Sequence, residues 1–173
     1  MSGHHKVRDI FLLPGALAFG GPNLRIRTLL GSCVSVVVWH PKLHLGGMCH
    51  FLLSARYPVS ADAVLDGRYA SDALHMLLLQ MSQSVADVSE FSAHICGGAN
   101  CFSEIAERSA QPFDIGRRNI QTAETWVAEH RLGLLQKQVG GEMYRHVAFD
   151  NSTGLLTVRQ GTQAEAQMSG VTA

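Results

Sequence analysis

Between Val34 and Trp39 the chain is an almost unbroken run of β-branched and aromatic residues. Such a run is expected of a strand buried on both faces, inside a sheet. Pro41 to His44 supplies a short loop, and Leu45 to Leu53 follows as the antiparallel partner. With residue 40 opposite 45, position 33 faces 52 and His50 faces Ser35, so Cys33 and His50 become diagonal neighbours on one face. Backbones at such diagonals lie about 7–8 Å apart, a gap that two side chains can close.

The remaining elements follow from periodicity. Alternation predicts strands over Val7 to Leu13, ended by Pro14-Gly15, and over Leu24 to Leu30, where Leu24, Ile26, Thr28 and Leu30 alternate with Arg25 and Arg27. From Ala61 to about Val85 the period becomes helical, with Ala70, Leu74, Leu77 and Met81 on one face. Phe91 to Cys96 reads as a strand entering Gly97-Gly98-Ala99-Asn100. A second helix is expected over Arg117 to Arg131, with Ile120, Ala123 and Val127 inward and Gly133 as its stop. Strands over Leu134 to Val139 and Met143 to Phe149 flank Gly140-Gly141, and Leu155 to Arg159 closes the pattern. Strands outnumber helices and short turns join most neighbours, which predicts an α+β fold with a largely antiparallel sheet. Residues 1–160 read as one domain and 161–173, small and polar, as a disordered tail.

Composition narrows the function classes. A length of 173 residues with 46% hydrophobic content supports one proper core. Fourteen basic and fourteen acidic residues cancel, so nothing in the total favours nucleic acid or an anionic membrane as a partner. No apolar run approaches the roughly 18 residues of a spanning helix. Lys6 and Arg8 before an apolar stretch hint at a secretion signal, but Asp9 and Pro14-Gly15 break that pattern. Cysteines at 33, 49, 96 and 101 in a chain of this size read as reduced thiols in cytoplasm.

The chemistry concentrates at Cys33 and His50. A thiol near an imidazole is the minimum equipment for nucleophilic attack on an amide or ester. Gly31-Ser32 before the thiol lets the backbone turn and present amide N–H groups to an oxyanion. Cys49-His50 and Cys96 to Cys101 offer soft metal ligands, yet adjacent strand residues point to opposite faces and one tetrahedral zinc shell is hard to build. Gly97-Gly98-Ala99-Asn100 lacks the lysine and hydroxyl of a phosphate loop and reads as a tight turn. Arg108 with Arg117-Arg118 reads as a solvated helix start. His40, His44, His75 and His130 fall at turns or on helices and read mostly as surface residues.

The segments Thr28-Leu29-Leu30-Gly31-Ser32-Cys33-Val34-Ser35-Val36 and Gly46-Gly47-Met48-Cys49-His50-Phe51 resemble the signature of the chemoreceptor glutamine deamidase family, CheD. Asp66-Gly67-Arg68-Tyr69-Ala70, Ile95 to Asn100, Ile115 to Ile120 and Arg145 to Val158 resemble further family blocks in the same order. The resemblance implies a β-sandwich flanked by helices, like deamidating bacterial toxins. It implies a cytoplasmic cysteine hydrolase that turns glutamines of bacterial chemoreceptors into glutamates and releases ammonia, without metal or cofactor. Carried over by position, Cys33 is the nucleophile and His50 the base, with Gly31 and Ser32 in the oxyanion-binding backbone. The family's third residue, a threonine, aligns at 27 or 28; position 27 is Arg, which leaves Thr28. His94 stands where the family suggests a lysine. The resemblance also carries an alternative, an adaptor that docks on receptors or on a CheC-type phosphatase. A thiol protease or transglutaminase would use the same pair.

Overall fold

The computed structural model describes residues 6–56, 63–100 and 114–161. Nine strands form two mixed sheets: β1 (Arg8–Phe11), β2 (Leu17–Gly20), β3 (Leu24–Leu30), β4 (Val34–His40), β5 (Leu45–Phe51), β6 (Ser92–Gly97), β7 (Gly133–Val139), β8 (Tyr144–Asp150) and β9 (Leu155–Gly161). One sheet has the order β1-β3-β8-β9 and the other β2-β5-β4-β6-β7. All pairings are antiparallel except β1 with β3 and β6 with β7. Helices α1 (Ala70–Ser82) and α2 (Ile115–Glu129) cover the outer face of the five-stranded sheet. The expected α+β sandwich with a largely antiparallel core is therefore what forms.

The three layers explain the apolar run that opens β4. Val34, Val36 and Val38 pack under the helices with Leu74, Leu77 and Trp126. Val37 points the other way, into an inter-sheet core with Ile26, Leu30, Met48 and Phe149. The central strand of the five has a layer on each side, and both faces are dry. The register of β4 against β5 is the expected one, from His40 opposite Leu45 to Val34 opposite Phe51.

Several elements depart from their expected bounds. The apolar segment at the N-terminus splits at Pro14-Gly15 into β1, on one sheet, and β2, on the edge of the other. Helix α1 begins only at Ala70, because Asp66 folds the preceding residues into a turn that its carboxylate holds through the Arg68 backbone N–H and guanidinium. Tyr69 forms a bridge with Leu53 just before the helix starts. Helix α2 starts earlier than expected, where Asp114 caps the Arg117 N–H at 2.8 Å. It stops before Gly133, with Arg131 already left-handed at φ 55°. Strands β7 and β8 are not a hairpin: Gly140 and Gly141, at φ 72° and 69°, carry the chain from one sheet to the other. Gly161 closes β9, and the rest of the expected tail lies outside the described residues. His40 and His94 are buried, against the surface placement that turn positions suggest for His40.

Candidate active site

The inter-sheet face of the five-stranded sheet collects the chemistry. Parity along β5 puts Cys49 and Phe51 under the helices, and Met48 and His50 between the sheets. Cys33, directly before β4, is half-buried against the same inter-sheet core. Ser35 faces His50 on one side and Cys96 on the other. Cys33 is two residues before Ser35 and one position beyond the last β4–β5 pair.

The opposite sheet supplies the third group. In β3 the residues Leu24, Ile26, Thr28 and Leu30 point inward. Thr28, 1% exposed, places its Oγ1 2.8 Å from His50 Nδ1 and 2.8 Å from the Leu12 carbonyl. A carbonyl only accepts, so the single hydroxyl proton goes to Leu12 and Oγ1 accepts from an Nδ1–H. That tautomer leaves the lone pair on Nε2, which makes no hydrogen bond. The His50 backbone is fixed by the same β1–β2 turn: its carbonyl accepts from Gly15 N–H at 2.7 Å and its N–H donates to Ala16 at 3.0 Å.

The backbone before the thiol is held through its carbonyls. Gly31 accepts from Ala99 N–H and Cys33 from Gly98 N–H, both at 2.8 Å. The Ser32 carbonyl accepts from Asn119 Nδ2 at 3.3 Å. In a trans peptide the next N–H points away from the carbonyl, so the Ser32 and Cys33 N–H groups are turned off these donors. Asn119 lay in a family-like block with no assigned role, yet one signal marked it. It is a polar residue in the inward stripe of α2, one turn before Ala123.

Burial sets the protonation states. Desolvation pushes His50 down to about 4, partly offset by the Leu12 carbonyl. The resting ring is therefore neutral at pH 7. Cys49 and Cys96 are each pushed up to about 12 by burial. None of the three described cysteines is in a disulfide. Among the described residues no three His, Cys, Asp or Glu side chains converge on a metal position. Among the described residues no helix is long and apolar enough to cross a membrane.

A family model described as CheD chemotactic sensory transduction matches residues 52–160. A Chromobacterium violaceum protein named probable chemoreceptor glutamine deamidase CheD 1 is 39% identical over 160 residues, 92% of this chain and 81% of that one. A Dechloromonas aromatica protein, probable chemoreceptor glutamine deamidase CheD 3, is 37% identical over 92% of this chain and 93% of its own length. The chain belongs to the CheD family. A Pseudomonas syringae pv. tomato relative carrying the same kind of name is 36% identical over 87% of this chain. The family-model match begins just past His50, whereas these relatives extend over most of the chain.

Geometry separates positions 27 and 28. Arg27 points outward, half-exposed, and its Nε donates to Asp9 at 2.7 Å. Thr28 is the residue on the imidazole. His94, where a CheD lysine was expected, is buried between the sheets against Phe149 with both ring nitrogens unbonded, and burial lowers its pKa.

These two histidines make a pH prediction. The unfolded ring takes a proton near pH 6.5, while folded His50 resists until about 4. The His50 contribution is flat above pH 7 and becomes destabilising as pH drops from 6.5 toward 4, by on the order of 3 kcal/mol. His94 adds to the loss in the same direction. Urea midpoints measured from pH 7.5 to 5 check this, and His94→Phe is expected to flatten the decline.

Proposed function

We propose that this chain is a protein-glutamine deamidase, a hydrolase that converts glutamine side chains of bacterial chemoreceptors, the methyl-accepting chemotaxis proteins, into glutamates. The observation that carries this reading is the buried Thr28–His50 contact on the face shared with Cys33. It stands in a chain whose curated relatives are named probable chemoreceptor glutamine deamidases.

In the proposed reaction, Cys33 Sγ attacks the glutamine δ-carbon while its proton passes to His50 Nε2. The neutral ring suits this role of general base, and Thr28 accepts the Nδ1–H that holds its orientation. The oxyanion of the tetrahedral adduct takes hydrogen bonds from the backbone of Gly31, Ser32 and Cys33. Collapse breaks the C–N bond, and His50 returns the proton to the leaving ammonia. Water then attacks the thioester with His50 again as base, releasing glutamate and the thiol. Each event puts an anion on a receptor helix and creates a methyl-accepting carboxylate. The adaptor alternative that the resemblance also carries is not favoured by relatives named deamidases.

Incubation with purified receptor cytoplasmic fragments tests the reading. Deamidation adds about one dalton at discrete glutamines with one ammonia each, as amide-to-acid hydrolysis requires. Chain cleavage or cross-linking to an added amine would instead identify a protease or a transglutaminase. The site works on the cytoplasmic helices of its receptors in this reading, so the protein is assigned to the cytoplasm. A CheC-type phosphatase is proposed as a second partner from the family resemblance, and co-elution of the two purified proteins tests that contact.

Thr28→Val keeps the shape and removes the hydroxyl, leaving Nδ1–H and the Leu12 carbonyl unpaired. Turnover is expected to fall on the order of 100-fold through misorientation of the base. Stability should drop by about 1–2 kcal/mol. Thr28→Ser should restore most of both, as steady-state ammonia release and thermal melts would show.

A further inference from the structure

We propose that Asn119, on the far side of the five-stranded sheet from the reacting groups, is a positioning residue for Cys33. This rests on the assignment of Cys33 and His50 as nucleophile and base. The β4–β5 ladder ends at Val34 opposite Phe51, so Cys33 stands one position beyond the last backbone pairing. Its facing residue, Leu52, has turned away, and its N–H donates to Arg68 at 2.8 Å. Cross-strand hydrogen bonds no longer set the spacing of residue 33 from the strand that carries His50.

Asn119 supplies that link. Its side chain is fully buried, and the one Nδ2 group donates to Leu52 at 2.7 Å and to Ser32 at 3.3 Å. A single amide thus ties the residue before the nucleophile to the end of the base-bearing strand. By holding the Ser32 carbonyl it also directs the Cys33 N–H, on the same peptide, to the opposite side. Its Oδ1 is buried with no hydrogen bond, so an apolar side chain would serve packing at least as well. What an apolar side chain lacks is the two-headed donor. Asn119 acts through Ser32 and Leu52.

The test compares Asn119→Ala with Ala123→Gly, which loosens the same helix one turn on without touching the link. With receptor cytoplasmic fragments as substrate, Asn119→Ala is expected to lower kcat by about 10–100-fold, the cost of a misplaced reacting group, with KM little changed. The pH profile of Cys33 alkylation by iodoacetamide should move to that of His50→Ala, because sulfur and ring are uncoupled. Asn119→Leu, which fills the volume without a donor, carries the same expectations should the alanine variant not fold. A folded variant that keeps the wild-type kcat and alkylation profile overturns the proposal. So does an equal loss in Ala123→Gly at matched thermal stability. Cys33→Ala assayed in parallel separates the two readings: activity there would sink the nucleophile assignment itself. An inactive Cys33→Ala beside fully active Asn119 variants would sink only the positioning role.

Discussion

Cys33→Ala is expected to cut ammonia release from receptor fragments by three orders of magnitude or more, the scale on which loss of a covalent nucleophile is felt. The fold should be nearly untouched, because alanine keeps the backbone carbonyl that accepts from Gly98 N–H. Among the described residues no other thiol can take over. Cys49 lies on the helix side of the sheet, and Cys49 and Cys96 are both pushed up to about 12 by burial. Cys33→Ser should be almost as inactive. A neutral imidazole takes the proton of a thiol far more readily than that of a hydroxyl, whose pKa is much higher. Steady-state ammonia assays beside thermal melts check both expectations, and a Cys33→Ser variant with substantial turnover would contradict this balance.

Gly97→Ala is the second large effect, and it acts on the same loop from outside. Gly97 ends β6 at φ 109°, a conformation that side chains rarely adopt. An added Cβ would be driven into the Cys33 carbonyl oxygen and against Val34 Cα, both backbone and unable to swing aside. The following N–H, from Gly98, is the donor that holds that carbonyl. A loss of about 3 kcal/mol or more is expected, combining backbone strain with overpacking. Any folded fraction should be poorly active. Urea unfolding measures the first, and turnover per folded molecule the second. Gly133→Ala, where the added carbon meets nothing within 4 Å, is the matched control.

How much of this was legible in the sequence varies by element. The β4–β5 hairpin was read in register, because a four-residue loop and a dry strand leave little freedom to slip. That register was enough to put Cys33 and His50 on one face. Residue type already leaves Thr28 rather than Arg27, but its contact with His50 depends on the second sheet, since alternation says only that the two point apart. The inward set Leu24, Ile26 and Leu30 has Thr28 in its phase. Strand β2 was missed because four residues with both faces only half-covered leave no periodic signal. The start of α1 was misplaced because helical spacing persists through a segment that Asp66 and Arg68 fold into a turn. The neutral state of His50 depends on burial from the opposite sheet, which no local pattern records.

Hydrolysis in water enriched in the heavy oxygen isotope, followed by peptide mass mapping of receptor cytoplasmic fragments, bears most directly on the claim that Cys33, His50 and Thr28 turn carboxamides into acids. The account predicts a gain of about three daltons at particular glutamines, one solvent oxygen entering as the thioester is hydrolysed, with wild-type protein and not with Cys33→Ala. Fragments of unchanged mass, or the same gain with the thiol removed, would contradict it.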